Sequence, residues 1–162
     1  MKEMIIAIGN IGSGKSTYIN RYYSYPPHVY ISRDSIRYMF GNNEYLFEQT
    51  LEPLVKIINL DMVSLLCSRG RSFVCDDTYI TKDDRKRVLS LGNMYDYKKT
   101  ALVFPRLSMK ESVGRRMNNP HNIPEQERWE SVWKKFDSIY EEPTKEEGFD
   151  EIIKIKKSEI GI

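Results

Sequence analysis

The residues best suited to chemistry form a glycine-rich stretch near the start of the sequence, Gly9-Asn10-Ile11-Gly12-Ser13-Gly14-Lys15-Ser16. The stretch follows an apolar run, Met4–Ile8, that predicts a buried strand, and a helix is predicted to open at Lys15. Strand, glycine loop and helix are the setting that the GxxxxGK[ST] phosphate-binding pattern requires. Glycines let successive backbone N–H groups point at one anion, and the helix adds the positive end of its dipole. The stretch therefore predicts a nucleotide-phosphate site.

The pattern also assigns roles to single residues in this loop. Lys15 is expected to reach the β- and γ-phosphates of ATP, and the Ser16 hydroxyl is expected to take a place on Mg²⁺. The other expected nucleotide-binding residues are Gly9, Gly12, Ser13, Gly14 and Thr17. A flexible glycine turn that fits the pattern by chance is the alternative, and its position directly after a strand disfavours it.

A second polar cluster, Ser32–Arg37, follows the short predicted strand His28–Ile31. In open α/β sheets, ligands bind at the carboxyl ends of strands. Asp34 occupies a position typical of a helix N-cap, and Arg37 lies three residues later on the same helical face. The pair is therefore either an acceptor-binding element or a cap beside a solvated surface charge.

A third cluster, Asp76-Asp77-Thr78, follows the predicted strand Ser72–Cys75. Carboxylates at a strand end beside a phosphate loop commonly support Mg²⁺ and its water ligands. The alternative is a pair of loop residues that cap the next helix. We expect at least one of the two aspartates to be functional.

Two arginines end a helix that is predicted to start at Ser108. Arg115 and Arg116 precede a segment rich in Asn and Pro that runs to residue 124. This arrangement suits a lid over about residues 108–124 that closes on the transferring phosphoryl group and supplies positive charge. The alternative is a pair of arginines that stabilises the helix dipole.

The remaining pattern predicts the elements that hold these clusters. Apolar residues recur at helical spacing from Glu44 to Ser68, with a kink or a new helix start at Pro53, and we expect this stretch to be core without chemistry. Trp129, Trp133 and Phe136 form a packing stripe on a helix predicted over 125–140. The basic run at 85–87 is expected to be a solvated face.

Alternating strands and helices predict an α/β fold of three layers with a central, mainly parallel sheet, in one P-loop kinase domain over 1–162.

Composition limits the class of protein. The net charge of +2 permits a basic groove but does not by itself indicate nucleic-acid binding. The two cysteines, Cys67 and Cys75, lack the number and spacing of a zinc site or a disulfide framework, so buried free thiols are expected. The sequence contains no predicted membrane span and no secretory pattern, so we expect a cytoplasmic protein in a reducing environment.

Four motifs together resemble the 5′-hydroxyl polynucleotide kinase family, which includes phage enzymes and the kinase module of polynucleotide kinase/phosphatase. The motifs are GNIGSGKST, SRDSIR, CDDTYITKDDRKR and FDSIYEEPTKEEGFDEI. The resemblance covers essentially the whole chain. The phosphate loop is shared with many NTPases, whereas the other three motifs are together much narrower.

The resemblance implies a role for each matching residue. Asp34 would be the general base for a 5′-hydroxyl, and Arg37 would contact a phosphate of the acceptor. Asp77, followed by Thr78, would organise the acceptor site or the waters of the metal. Lys15 and Ser16 would hold the donor phosphates and Mg²⁺, and Arg116 would be a lid arginine. The implied reaction is transfer of the γ-phosphate of ATP or another NTP to the 5′-OH end of DNA or RNA.

The chain departs from the family at two points. Pro120-His121 occupies the region where the phage-type lid has a further arginine, which leaves open whether Arg115 or Arg116 serves. The phosphatase motif D-x-D-G-T is absent, which predicts a kinase without phosphatase activity. A small-molecule P-loop kinase acting on a nucleoside, sugar or antibiotic hydroxyl, and a slow nucleotide-binding switch, are the alternatives.

Overall fold

Five parallel strands form the centre of the protein, as a computed structural model that describes residues 1–162 shows. Across the sheet their order is β2-β3-β1-β4-β5, and every neighbouring pair is parallel. The strands are β1 (Glu3–Ile8), β2 (Val29–Ile31), β3 (Phe73–Cys75), β4 (Lys98–Val103) and β5 (Glu151–Lys154).

Six α-helices connect or flank these strands. They are α1 (Lys15–Tyr22), α2 (Arg33–Phe40), α3 (Glu52–Ser68), α4 (Lys82–Met94), α5 (Met109–Met117) and α6 (Gln126–Ser138). Short 3-10 turns lie at Lys145–Glu147 and Lys157–Ile160. None of the six helices is long and apolar enough to cross a membrane.

The core lies on both faces of the sheet, because β1 alternates its side chains between them. Met4, Ile6 and Ile8 pack with residues of α3 and α4 on one face, while Ile5 and Ala7 pack with Ile19 of α1 and Leu102 of β4 on the other. Strands buried on both faces are typical of parallel sheets. Cys67 and Cys75 are buried free thiols, as expected.

The predicted helix over Glu44–Ser68 starts later than its apolar spacing indicated. Helix α3 begins at Glu52 with Pro53 in its first turn, which confirms the alternative of a new helix at this proline. Residues 44–51 contain turns and irregular backbone. Phe47 in this segment is 45% exposed, so the prediction that the whole stretch is core was wrong here.

Helix α2 also begins two residues earlier than predicted. Its N-cap is Ser32, whose hydroxyl accepts a hydrogen bond from the backbone N–H of Ser35 at 3.0 Å. Asp34 therefore lies within the first helical turn, and its carboxylate is available for other contacts. Thr81 caps α4, with a reciprocal bond to Asp84.

The strand order sets the location of the polar clusters. Strand β3 lies between β1 and β2, so the segments that follow these three strands leave the sheet side by side at their carboxyl ends. The glycine loop follows β1, Asp34 follows β2, and Asp76 and Asp77 follow β3. This edge of the sheet, at the topological switch, is the usual ligand site of open α/β folds.

Candidate active site

The glycine loop has the backbone conformation of an anion cradle. Gly12 and Gly14 adopt left-handed φ values of 63° and 91°. A Cβ on Gly12 would lie 2.1 Å from the backbone oxygen of Ser112, so only glycine fits at that position. No side chain caps the N-terminus of α1, which leaves the N–H groups of its first turn free for a ligand.

The Lys15 ammonium lies inside this loop. Its Nζ donates to the Gly9 oxygen at 2.9 Å and to the Asn10 oxygen at 2.7 Å, and lies 3.3 Å from Ser13 Oγ. Burial lowers the pKa of Lys15 to about 8, although the nearby Asp76 acts in the opposite direction. Asp34, Asp77 and Arg116 also influence this pKa, which shows that the structure brings these predicted site residues together.

Asp34 is held from several sides. Its Oδ1 accepts hydrogen bonds from Arg37 Nη1 at 2.7 Å and from the Tyr45 hydroxyl at 3.1 Å. Its Oδ2 faces His121 Nε2 at 3.3 Å. Burial raises the pKa of Asp34, whereas the charge and the hydrogen bond of Arg37 lower it, and overall this pKa lies well below its usual range. Asp34 is therefore a carboxylate throughout the ordinary pH range.

Arg37 is fixed by a second acid. Its Nε and Nη2 form a bidentate pair with Glu52 at 2.9 and 2.6 Å. Burial lowers the pKa of Arg37, but its bonds with Glu52 and the charge of Asp34 more than compensate and raise it overall. The guanidinium therefore connects the first turn of α3 to the Asp34 carboxylate and fixes the orientation of that carboxylate.

His121 links the segment after α5 to the wall formed by α2. Its ring stacks on Tyr45 with centroids 4.5 Å apart and an interplanar angle of 12°. Its Nδ1 lies 2.9 Å from the Tyr38 hydroxyl, and its Nε2 lies 2.8 Å from Arg116 Nη1. An arginine can only donate, so Nε2 accepts this bond while it also faces Asp34.

The two arginines of α5 have different surroundings. Arg115 Nε donates to the backbone oxygen of Gly12 at 2.9 Å, so it braces the glycine loop. Arg116 lies over the Trp129 ring, 5.0 Å from its centroid, with its Nε buried and unpartnered. Arg116 also pairs with no carboxylate, which leaves its charge available to an anion.

Asp76 and Asp77 lie side by side but make different contacts. Asp77 accepts from the backbone N–H of Arg33 at 3.2 Å and pairs with the guanidinium of that residue at 3.2 Å. Burial raises the pKa of Asp77 to about 6, against the effect of Arg33. Asp76 accepts a 2.7 Å bond from the Tyr30 hydroxyl and is the charged group with the largest effect on the pKa of Lys15. The Thr78 backbone oxygen accepts from the N–H of Gly9 at 3.0 Å.

The residues of this edge fit a nucleotide with its magnesium ion. The open first turn of α1 and the unpaired Arg116 suit phosphate oxygens, and Ser16 and Thr17 are exposed at the start of α1. No group of three or more His, Cys, Asp or Glu side chains is arranged to hold a metal alone. Mg²⁺ commonly binds through few protein ligands together with phosphate oxygens, which agrees with Ser16 beside a nucleotide.

Sequence reasoning missed three residues of this site, Tyr45, Glu52 and His121, which contact Asp34 or Arg37 from distant parts of the chain. Of the two aspartates after β3, Asp76 has a larger effect on the pKa of Lys15 than Asp77, to which the sequence analysis assigned the role. The replacement of a family arginine by Pro120-His121 was the one signal for His121. Nothing in the pattern around Tyr45 or Glu52 indicated contact with the site.

The fold is the α/β fold of P-loop kinases, with the glycine loop at the carboxyl end of β1. Residues 4–143 match the model of the AAA domain family, so the chain belongs to that family. Among curated protein sequences, none matches this chain.

Solved structures share the fold at low sequence identity. A putative kinase from Chloroflexus aurantiacus J-10-fl has a TM-score of 0.69 and 14% identity, with 95% of this chain and 84% of that chain covered. The Pnkp1/Rnl/Hen1 complex gives a TM-score of 0.57 and 23% identity over 70% of this chain, and the match spans only 38% of that chain. A gluconokinase from Sinorhizobium meliloti 1021 has a TM-score of 0.58 and 18% identity, with 94% and 81% covered.

Proposed function

We propose that this protein is an ATP-dependent phosphotransferase that moves the γ-phosphate of ATP, or of another NTP, to the 5′-hydroxyl end of DNA or RNA. The observation that carries the proposal is the Asp34 carboxylate. It lies beside the phosphate loop with Oδ1 fixed by Arg37 and Tyr45, and its Oδ2 faces the segment after α5. A nucleotide-binding switch needs no carboxylate positioned for a second substrate.

The donor side follows from the loop and α5. The backbone N–H groups of the loop and of the first turn of α1 would bind the β-phosphate, and Lys15 would exchange its backbone partners for β- and γ-oxygens. Arg116 would leave His121 for the γ-phosphate as the proposed lid, residues 108–124, closes. Ser16 would hold Mg²⁺, with Asp76 or Asp77 near its waters, and the ion would supply positive charge to the phosphate oxygens.

The acceptor side follows from Asp34. A 5′-hydroxyl would replace His121 at Oδ2 and donate its hydrogen bond there, aligned with the γ-phosphorus. The oxygen–phosphorus bond to the acceptor forms as the bond to ADP breaks, and the hydroxyl proton passes to Asp34. Because the pKa of Asp34 is low, its main contribution is orientation of the hydroxyl, with proton transfer late in the step.

The test is transfer of labelled γ-phosphate from ATP, with Mg²⁺, to single-stranded 5′-OH DNA and RNA. We expect labelling of an oligonucleotide, loss of labelling in Lys15→Ala, and a decrease of about 100-fold or more in Asp34→Asn. The Asp34→Asn variant keeps the shape of the side chain and should still bind ATP. Wild-type turnover in Asp34→Asn would overturn the assigned role of Asp34.

A small-molecule hydroxyl is the second candidate acceptor. Its support is the fold shared with a gluconokinase and with a shikimate kinase from Acinetobacter baumannii, the latter covering 99% of this chain at 14% identity. A free nucleoside, gluconate and shikimate serve as competing acceptors in the same assay. Labelling of one of these and of no oligonucleotide would favour the second candidate.

A further inference from the structure

Two arginines contact one exposed aromatic ring just outside the Asp34 site. Phe47 lies in the irregular segment between α2 and α3, and the residue is 45% exposed. The guanidinium carbons of Arg37 and Arg128 both lie 5.5 Å from the centroid of this ring. Arg37 also contacts Asp34, so the ring and Arg128 continue outward from the proposed acceptor site.

The two arginines differ in how far carboxylates balance their positive charge. Arg37 is held by Asp34 and bidentately by Glu52, so two carboxylates already balance its charge. Arg128 on α6 is exposed, and its guanidinium pairs with no carboxylate and makes no hydrogen bond. Its contact with the Phe47 ring holds it in place. The positive charge available to a ligand beyond Asp34 is therefore that of Arg128.

An exposed ring beside an unpaired guanidinium matches the chemistry of a single nucleic-acid strand. Bases stack on exposed aromatic rings irrespective of their sequence, and guanidinium groups bind backbone phosphates. A small hydroxyl acceptor bound at Asp34 would not extend to Arg128 and would gain nothing from this surface.

We propose that Phe47 and Arg128 form a binding subsite for the acceptor strand beyond its first nucleotide. In this subsite the Arg128 side chain turns from the Phe47 ring to an internal phosphate, and a nucleobase stacks on the part of the ring that it leaves. This proposal rests on the proposed 5′-hydroxyl kinase function and specifies its acceptor as a strand rather than a single nucleotide. The subsite gives the preference for a nucleic-acid end that Arg37 alone, already neutralised, cannot supply.

The direct test measures binding and needs no turnover. Fluorescence anisotropy of a short single-stranded 5′-OH DNA, labelled at its 3′ end, is followed for the wild type and for Arg128→Ala and Phe47→Ala. We expect each substitution to raise the Kd about tenfold. Arg128→Ala should also reduce the slope of log K against log salt by about 0.7. Arg128→Lys and Phe47→Trp, which keep the charge and the ring, should recover most of the affinity.

Arg21 provides a matched control, because it lies in the last turn of α1, at the end away from the glycine loop. It is also exposed and lies over an aromatic ring, that of Tyr22 at 5.3 Å, without a carboxylate partner. Arg21→Ala should leave the Kd and the salt slope unchanged. If Arg128→Ala matched Arg21→Ala, or if the wild type bound no DNA or RNA strand, the subsite proposal would be wrong.

A second readout separates this proposal from the proposed function. Transfer to a nucleoside 3′-monophosphate, which ends before the subsite, should keep its KM in Arg128→Ala while the KM for the oligonucleotide rises about tenfold. An equal rise for both acceptors would overturn the subsite. If the strand bound in a way that depends on Arg128 but no phosphate were transferred, the kinase proposal would be wrong. The proposal that Phe47 and Arg128 bind a nucleic-acid strand would still hold.

Discussion

Lys15 is buried among backbone oxygens, and its proton is easier to remove than that of an ordinary lysine. Burial lowers its pKa to about 8, so about half of the Lys15 side chains are neutral at about pH 8 in the folded protein without nucleotide. A bound triphosphate would restore a strong preference for the charged form. Nucleotide binding near pH 8 should therefore be linked to proton uptake at this residue.

We predict an uptake of about half a proton when ATP binds at about pH 8, and weaker binding as the pH rises further. The contribution of Lys15 to the free energy of unfolding changes with pH in the opposite direction to that of a salt-bridged lysine, whose pKa is raised by folding. A lysine with a lowered pKa binds fewer protons folded than unfolded between about pH 8 and pH 10, so its contribution to the free energy of unfolding rises with pH across this window. Calorimetry of ATP binding in buffers of different ionisation enthalpy measures the uptake.

The control for this measurement is Lys15→Met, which removes the titrating group. Any residual binding of ATP by this variant should show no proton uptake near pH 8. If the uptake persisted in Lys15→Met, it would belong to another group, such as a phosphate oxygen of the nucleotide.

At the scale of residues, the sequence predicted those site members that follow local rules. Lys15 and Ser16 belong to a contiguous motif, and Asp34 with Arg37 lies one helical turn apart directly after a strand. Tyr45 and His121 reach Asp34 from separate parts of the chain, which no local spacing encodes. The sequence also gave no indication that Glu52 would engage Arg37 from the first turn of another helix.

At the scale of elements, a helix start was predictable where only one candidate cap was present. The helix predicted to start at Ser108 does so, with Ser108 as its cap and Glu111 as the partner three residues later. At α2 two candidates competed, and Ser32 caps the helix instead of Asp34. Periodicity failed at 44–51 although apolar residues there recur at helical spacing. Phe47 lies exposed at the edge of the site, and Tyr45 packs against a small apolar cluster while its hydroxyl contacts Asp34.

The basic run at 85–87 shows a similar limit, because one of its members is not on a solvated face. Arg85 is fully buried and makes a bidentate pair with Glu147 at 2.7 and 2.9 Å. Its Nη1 also donates to the backbone oxygen of Tyr79 at 2.8 Å. The Arg85 guanidinium therefore links the start of α4 to the 3-10 turn at Lys145–Glu147.

We predict that Glu147→Ala lowers the free energy of unfolding by about 3–5 kcal/mol, because it leaves the buried Arg85 charge without its partner. Urea denaturation of the wild type and the variant measures the loss. Glu146→Ala is the control, since Glu146 is the exposed neighbour on the same turn and should change stability little. Equal effects of the two substitutions would show that the buried pair is not what holds this turn.

At the scale of the whole molecule, the last turn of α5 and the residues that follow it, up to Asn122, form one segment that contacts both sides of the site. On the nucleotide side, Arg115 donates to Gly12 of the loop. On the acceptor side, His121 contacts Asp34 and Tyr38, and Arg116 bonds to the same imidazole. The two proposed substrate sites therefore share one segment, and binding of a ligand at one site should change the affinity of the other site for its ligand.

The backbone of this segment indicates how the coupling would work. His121 and Asn122 adopt left-handed φ values of 56° and 71°, a conformation that costs energy for residues with a Cβ and persists only where contacts maintain it. A γ-phosphate that draws Arg116 away removes one of the contacts on His121. The imidazole is then held less firmly over Asp34, and an acceptor hydroxyl can take Oδ2 at a lower cost.

We therefore predict that a non-hydrolysable ATP analogue tightens binding of a 5′-OH oligonucleotide about fivefold or more, and that the oligonucleotide tightens binding of the analogue by the same factor. His121→Phe keeps a ring on Tyr45 but removes both nitrogens. It should bring this factor close to one and strengthen acceptor binding in the absence of nucleotide. The Kd of each ligand, measured with and without the other, gives the factor, with Gln126→Ala on the exposed face of α6 as the control. An unchanged factor in His121→Phe would mean that the two sites are coupled by a route other than the imidazole between Arg116 and Asp34.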